Sequence, residues 1–169
     1  MTEKIKDTVS KTIIGIDNGV TGSIGIVDSS SSYFYKTPVF LTQDYTKKKQ
    51  NVSRLDCKVF YNIIENVENP FAVIERPMVN PQRYRATLSA VRCLESTLIC
   101  LETLSIPYQF VDSKEWQKVM LNSSAKTDDL KKLSRDIGIR LFPKHKEFIL
   151  KHKDADSLLM AEWARRCNL

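Results

Sequence analysis

Long apolar runs are missing from this chain. No stretch of about 18 apolar residues occurs, so the sequence offers no candidate membrane-spanning helix. The opening MTEKIKDTVSK is polar and lacks the apolar centre of a secretory signal. With neither feature present, the expectation is a cytoplasmic protein (the host cytoplasm for a viral or phage source), with an organelle as the alternative. Cysteine is scarce. Cys57, Cys93, Cys100 and Cys167 stand too far apart for a CxxC knuckle, which argues against a zinc finger and predicts reduced packing thiols. Internal repeats and long linkers are also lacking. At 169 residues the chain is long enough for one real core and too short for two large domains. The expected organisation is a polar tail over residues 1–11 and one domain over residues 12–169.

What the chain has in excess is positive charge. The 26 Lys and Arg against 20 Asp and Glu leave a net charge of +6. Such a domain is a candidate for polyanionic partners, nucleic acid above all, although a soluble basic protein without one has the same charge.

Apolar periodicity orders the rest. TIIGI and SIGIV flank a Gly-rich turn, and YFYKT follows the polar DSSSS, which predicts a three-stranded antiparallel meander. From Arg54 to Val67, RLDCKVFYNIIENV repeats Val59, Phe60, Ile63, Ile64 and Val67 at helical spacing, and FAVIE then forms a short buried strand. Asn80 is placed to cap, and Pro81 to begin, a helix reaching about Leu104. PYQFV is a further strand. SKEWQKVML and DDLKKLSRDIGIRLF are helical, Pro143 stops the second, and a last helix runs from about Asp154 to Arg166. This order predicts an α/β fold: a mixed five-stranded sheet, with meander and parallel strands, and helices on both faces.

Two of these strands end on carboxylates. Asp17 closes the TIIGI strand and Glu75 closes FAVIE. Either acid alone reads as a surface strand end, but on neighbouring strands the pair would converge, and two such carboxylates repel unless a proton or cation lies between them. In DADSLLMAEWARR, Asp156 shares a helix face with Leu159, Met160 and Trp163, the face expected to pack on the sheet. A buried charge there needs a partner or a metal. Asp154 is either a further donor or the N-cap of that helix. Oxygen donors without cysteine, and with one histidine at most, suit Mg²⁺ or Mn²⁺ rather than zinc.

In sequence order and at about the same spacing, GIDNGVTGSIGIV, AVIERP, WQKVML, KTDDLKKLS…LFP and DADSLLMAEWARR resemble the RuvC-like Holliday junction resolvases, especially their phage-type and organellar branch. The resemblance spans Thr12 to Arg166. It implies an RNase H-like fold, a homodimer, no nucleotide cofactor, and Mg²⁺-dependent cutting of four-way DNA junctions, with Mn²⁺ as a substitute. It also implies Asp17, Glu75 and Asp156 as three of four metal-binding acids. The family's fourth ligand, Asp or His, lies a few residues before the last acid. Lys153 occupies the bacterial offset, leaving Asp154 and His152; Asp154 is preferred because a carboxylate suits a hard cation. Two metal ions would then act on one phosphodiester, one activating water and the other stabilising the leaving 3′ oxygen. Gly19 and Gly22 would admit a DNA backbone, or serve only the turn between two strands.

Arg76, Arg83, Arg85, Lys114, Lys118, Lys126, Lys131, Lys132, Lys144 and Lys146 follow the acids and as a set would track the phosphates of two duplex arms, although each alone reads as a solvated residue. Tyr84 and Trp116 are candidates for stacking or for packing, and Tyr84 is favoured by its place after Glu75. Two stripes mark the helix from Pro81: Leu88, Val91, Leu94, Leu98 and Leu101, beside Ala86, Ala90, Cys93, Thr97, Cys100 and Leu104. The second stripe is expected to face a partner subunit, unless the helix is wholly interior. Two rival functions share parts of this pattern. GIDNGVTGS also resembles the first phosphate loop of actin- and Hsp70-like ATPases, though no second Gly-rich loop follows. A catalytically silent junction-binding protein is expected to have lost an acid.

Overall fold

Ile13 and Ile14 point to opposite faces of one strand, so that strand requires cover on both sides. In the computed structural model, which describes residues 10–121 and 127–169, it lies at the centre of a five-stranded sheet. Residues 1–9 of the expected tail, and Lys126, lie outside the described residues. The strands are β1 (Thr12–Asp17), β2 (Ser23–Val27), β3 (Ser32–Lys36), β6 (Pro70–Glu75) and β7 (Tyr108–Val111), in the order β3-β2-β1-β6-β7. β1, β2 and β3 pair antiparallel; β6 runs parallel to β1, and β7 parallel to β6. This is the mixed sheet predicted.

The two faces have separate cores. Ile14, Ile16, Ile24, Ile26 and Ile74 pack beneath α1 (Cys57–Ile64) and α2 (Tyr84–Thr103). Ile13, Val27, Val73 and Val111 pack beneath α3 (Ser113–Met120), α4 (Thr127–Leu141), α5 (Lys146–His152) and α6 (Asp156–Arg166). Among the described residues no helix is long and apolar enough to cross a membrane.

α6 seats directly on the sheet backbone. Gly15 and Gly25 are register partners on β1 and β2. A Cβ at Gly15 would come 2.1 Å from the Ser157 carbonyl oxygen, and one at Gly25 would come 2.6 Å from the Leu158 nitrogen. Any side chain at either position would push the helix away. The Ser23 hydroxyl donates to Ser157 Oγ at 2.8 Å within the same contact. The closest contacts of the sheet backbone with α6 are thus made by Ser157, Leu158 and Ala161, while the expected Leu159, Met160 and Trp163 lie in the same core as Ile13, Val27 and Val73. That face also has cover, because every residue from Ser157 to Ala164 is buried.

Several boundaries differ from the periodicity. Arg54 does not begin a helix: it lies in β5 (Asn51–Leu55), which pairs antiparallel with β4 (Val39–Gln43) in a separate two-stranded sheet. Helix α1 starts after Asp56, whose carboxylate accepts the Val59 amide at 3.1 Å and so satisfies a free N–H of the first turn. A 3₁₀ turn over Pro81–Arg83, with the Asn80 side chain accepting the Gln82 amide at 2.9 Å, precedes α2. α5 lies between Pro143 and the last helix, which begins at Asp156. The small-residue stripe of α2 is also reassigned. Cys93, Thr97 and Cys100 are buried against the chain's own sheet with Leu101, while Val91 and Ile99 stand exposed. Trp116 is fully buried in the α3 core, where it packs and cannot stack on a ligand.

Candidate metal centre

Because β1 and β6 are parallel neighbours, with Ile16 opposite Ile74, the residues that end them emerge side by side. These are Asp17 and Glu75. The carboxyl edge of parallel strands is where α/β sheets habitually place ligands. α6 adds its first residue here: Ser157 contacts Ser23, the register partner of Asp17, so Asp156 lies at the same edge. The fourth contribution comes from the link between α5 and α6. Lys153 has a left-handed φ of 84°, which turns the chain sharply between His152 and Asp154. One ligand atom from each of Asp17, His152 and Asp154 lies within 4.8 Å of the other two. His152 Nε2 is 3.5 Å from Asp154 Oδ1, and the Phe34 ring packs edge-on against His152 at 5.6 Å. The expected choice between Asp154 and His152 is thus not forced by geometry. Both are present.

Electrostatics single out the same cluster. Burial, then repulsion from Glu75, Asp156 and Asp154, holds the Asp17 carboxyl well above the usual carboxylate range, with Lys131 acting in the opposite direction. Glu75 is pushed up to about 7, mainly by burial and then by Asp156, against a hydrogen bond from Ser113. Asp156 is pushed up to about 6 by burial and Asp154, while Ser134 and Lys131 favour its charged form. Asp154 is only 8% exposed. It is not a helix cap in the usual sense: Ala155 is the cap residue of α6, and the Asp156 amide lies 3.5 Å from Asp154 Oδ1. Four acids crowded at a half-buried edge make a strongly negative locus, and a hard divalent cation bound by oxygen donors would relieve it.

Sequence reasoning missed the neutral groups that hold these acids. The buried Ser134 hydroxyl of α4 hydrogen-bonds Asp156 Oδ1 and accepts the Ala155 amide at 3.1 Å. Ser113, the first residue of α3, hydrogen-bonds Glu75. A signal for Ser134 existed: it is a small polar residue on the apolar side of α4, between Leu130 and Ile137. Ser113 carried none. Gly19 and Gly22 are turn residues. Gly19 has a φ of 137°, and a Cβ on Gly22 would lie 2.0 Å from the Asp17 carbonyl oxygen.

The predicted basic set is dispersed. Lys131 is exposed on α4 and interacts with both Asp17 and Asp156. Lys132 is exposed beside it, and Lys114 and Lys118 are exposed on α3. Arg83, Tyr84 and Arg85 are exposed where α2 begins. Arg76 pairs with Asp112 at 3.2 Å, both largely solvated. Lys144 lies over the Tyr33 ring near the Val27–Ser32 end of the sheet, opposite the acids, and is removed from the site. Lys146 is exposed on α5.

No protein-family model matches this chain, and no curated protein matches it. Solved structures do. Thermus thermophilus RuvC in complex with a Holliday junction substrate superposes with a TM-score of 0.56 at 11% identity, covering 93% of this chain and 96% of that one. This chain has the RuvC fold. Two further likenesses are T. thermophilus RuvC, with a TM-score of 0.49, 13% identity and coverage of 93% and 96%, and the yeast mitochondrial Holliday junction resolvase Ydc2, with a TM-score of 0.48, 14% identity and coverage of 93% and 78%. On its RuvC fold the chain brings the half-buried Asp17 and Glu75 together at the carboxyl ends of the two central parallel strands.

Proposed function

We propose that residues 12–169 form one nuclease domain that resolves four-way DNA junctions by paired, symmetric phosphodiester hydrolysis. The observation that carries this reading is the half-buried cluster of Asp17, Glu75, Asp154 and Asp156, with His152, on a fold shared with a junction-bound RuvC. The donors fit divalent metal: oxygen-rich, mutually repelling and, among the described residues, opposed by a single lysine, Lys131. Asp17, Glu75 and Asp156, with Asp154 or His152, would hold Mg²⁺, or Mn²⁺ in its place, as a two-ion site. When bound, such ions supply an acidified water and neutralise charge on the leaving oxygen. The protein's own part is positional. Ser113 and Ser134 fix the Glu75 and Asp156 carboxylates, the Lys153 turn presents His152 and Asp154 together, and Lys131 offers positive charge to an approaching phosphate. Arg83, Arg85, Lys114, Lys118, Lys126 and Lys132 contribute phosphate contacts, and exposed Tyr84 is the remaining stacking candidate. Paired cuts require two sites related by a two-fold axis, so the working unit is a homodimer joined through the outer side of α2, where Val91 and Ile99 are exposed.

The test is a labelled four-way junction and a linear duplex of the same sequence, each with and without Mg²⁺. The parent is expected to nick two opposing strands of the junction only when Mg²⁺ is present. Asp17→Asn, Glu75→Gln and Asp156→Asn should each slow cutting by roughly two orders of magnitude or more while junction binding persists. Near-normal cutting by any of them removes that residue from the site. Normal cutting by Asp154→Asn with an inactive His152→Ala would assign the fourth position to His152.

A further inference from the structure

The β4–β5 hairpin does not join the main sheet. It stands over the start of α2, and between the two lies an open groove of about 700 Å³. Its base is Val20, three residues after Asp17 on the β1–β2 turn, so the groove begins beside the acidic edge. Lys47 and Lys48 line one wall from the hairpin tip, and Arg85 and Arg92 line the other from α2.

Of the lining residues, four are cationic and one, Asp44, is acidic. Asp44 is already engaged: its Oδ1 accepts the Thr46 hydroxyl at 2.7 Å and the Thr46 and Gln50 amides at 3.2 and 3.1 Å, which shapes the tip. These bonds, and Arg85 last, hold its carboxyl below the usual range. Lys47, Lys48 and Arg92 make no ion pair among the described residues. Unpaired cations on both walls of an open trough leave uncompensated positive charge, the complement of a regularly spaced polyanion. Tyr45, 90% exposed, and Tyr84, 69% exposed, stand at the rim. An isolated two-stranded hairpin is marginal by itself, and this one is anchored by Leu55, buried in one core with Cys93, Cys100 and Leu101 of α2. The anchoring holds the lysines over α2 rather than leaving them on a free loop.

We infer that this groove is a DNA-backbone site: it seats the phosphates of a duplex arm that leaves the acidic edge, clamped between Lys47 and Lys48 on the hairpin and Arg85 and Arg92 on α2. The inference rests on the nuclease reading for its ligand and adds to it a surface and residues outside the acid cluster. Cations on two opposed walls distinguish this trough from the dispersed lysines elsewhere, because they can contact one strand from both sides.

The experiment measures affinity of the full chain for the four-way junction and for a plain duplex across a salt series. Lys47→Glu/Lys48→Glu should weaken binding to both DNAs by about tenfold or more near 0.1 M salt and reduce the slope of log affinity against log salt by about 2. Arg92→Gln, on the other wall, should reduce the slope by about 1. Lys47→Arg/Lys48→Arg should keep both affinity and slope, with melting temperature unchanged throughout. Unaltered slopes in Lys47→Glu/Lys48→Glu and Arg92→Gln overturn the inference. If the parent binds DNA and these variants weaken it but no junction is cut, the groove stands and the nuclease reading falls. A parent that binds neither DNA overturns both.

Discussion

Helices α2 and α6, which cover opposite faces of the sheet, are used in opposite ways. α6 is buried on every side, from Ser157 to Ala164, and rests on the bare backbone of Gly15 and Gly25. α2 covers the other face with Cys93, Thr97, Cys100 and Leu101 and leaves Val91 and Ile99 in solvent. The difference follows from what each helix carries. Asp156 must be held at a fixed position against its neighbours' charge, and a helix clamped by sheet, α3 and α4 supplies that rigidity. α2 carries no such group. Its outer side remains open to other contacts: the groove beside Arg85 and Arg92, and the exposed apolar Val91 and Ile99.

The largest effect should come from unseating α6. Gly25→Val places branched carbons where the Leu158 backbone already lies, at distances no side-chain adjustment relieves. The expected outcome is loss of the cooperative thermal transition, measured by circular dichroism, whereas Ile99→Asp on α2 should melt like the parent. A Gly25→Val protein that folds normally would remove the contrast between the helices.

A smaller effect concerns pH. Glu75 and Asp156 have folded pKa values of about 7 and about 6, above their ordinary values of 4.5 and 3.8, and Asp17 is also raised. The native state therefore holds protons that the unfolded chain has released. The stability these groups allow is fully present below about pH 4 and is lost as pH rises through about 7. In chelator, denaturant midpoints should fall by an amount worth a few kcal/mol across that window. Mg²⁺ should restore most of the loss at pH 7 and little at pH 5. Asp156→Asn should flatten the curve; an unchanged curve would show that α6 does not carry the charge argued for it.

The smallest effect in energy lies on α2. Light scattering at micromolar concentration should give a mass near twice 19.4 kDa for the parent and near 19.4 kDa for Ile99→Asp, with little change in melting. A parent that stays monomeric even on junction DNA, yet makes paired cuts, would leave the outer side of α2 without the role proposed for it.

Much of this was determined by sequence alone. Strand periodicity placed Asp17 and Glu75 at strand ends, and parallel pairing then brings them together without further instruction. The DAD segment opening the last helix marked Asp156, because an acid on an apolar helix is locally conspicuous. What tertiary structure alone decided has a common physical cause: convergence through space leaves no local period. Lys153 takes a left-handed turn without being glycine, so nothing announced that His152 and Asp154 would both reach Asp17. Two stripes on α2 were visible, but only the packed sheet chose the small-residue stripe as the inner one, because close approach favours small side chains there. The β4–β5 hairpin escaped notice because its outward strands, exposed along most of β4, bury too little to alternate, while Arg54 and Leu55 fit the helical spacing of the residues after them. A groove between that hairpin and α2 exists only once two segments with no shared pattern are folded against each other.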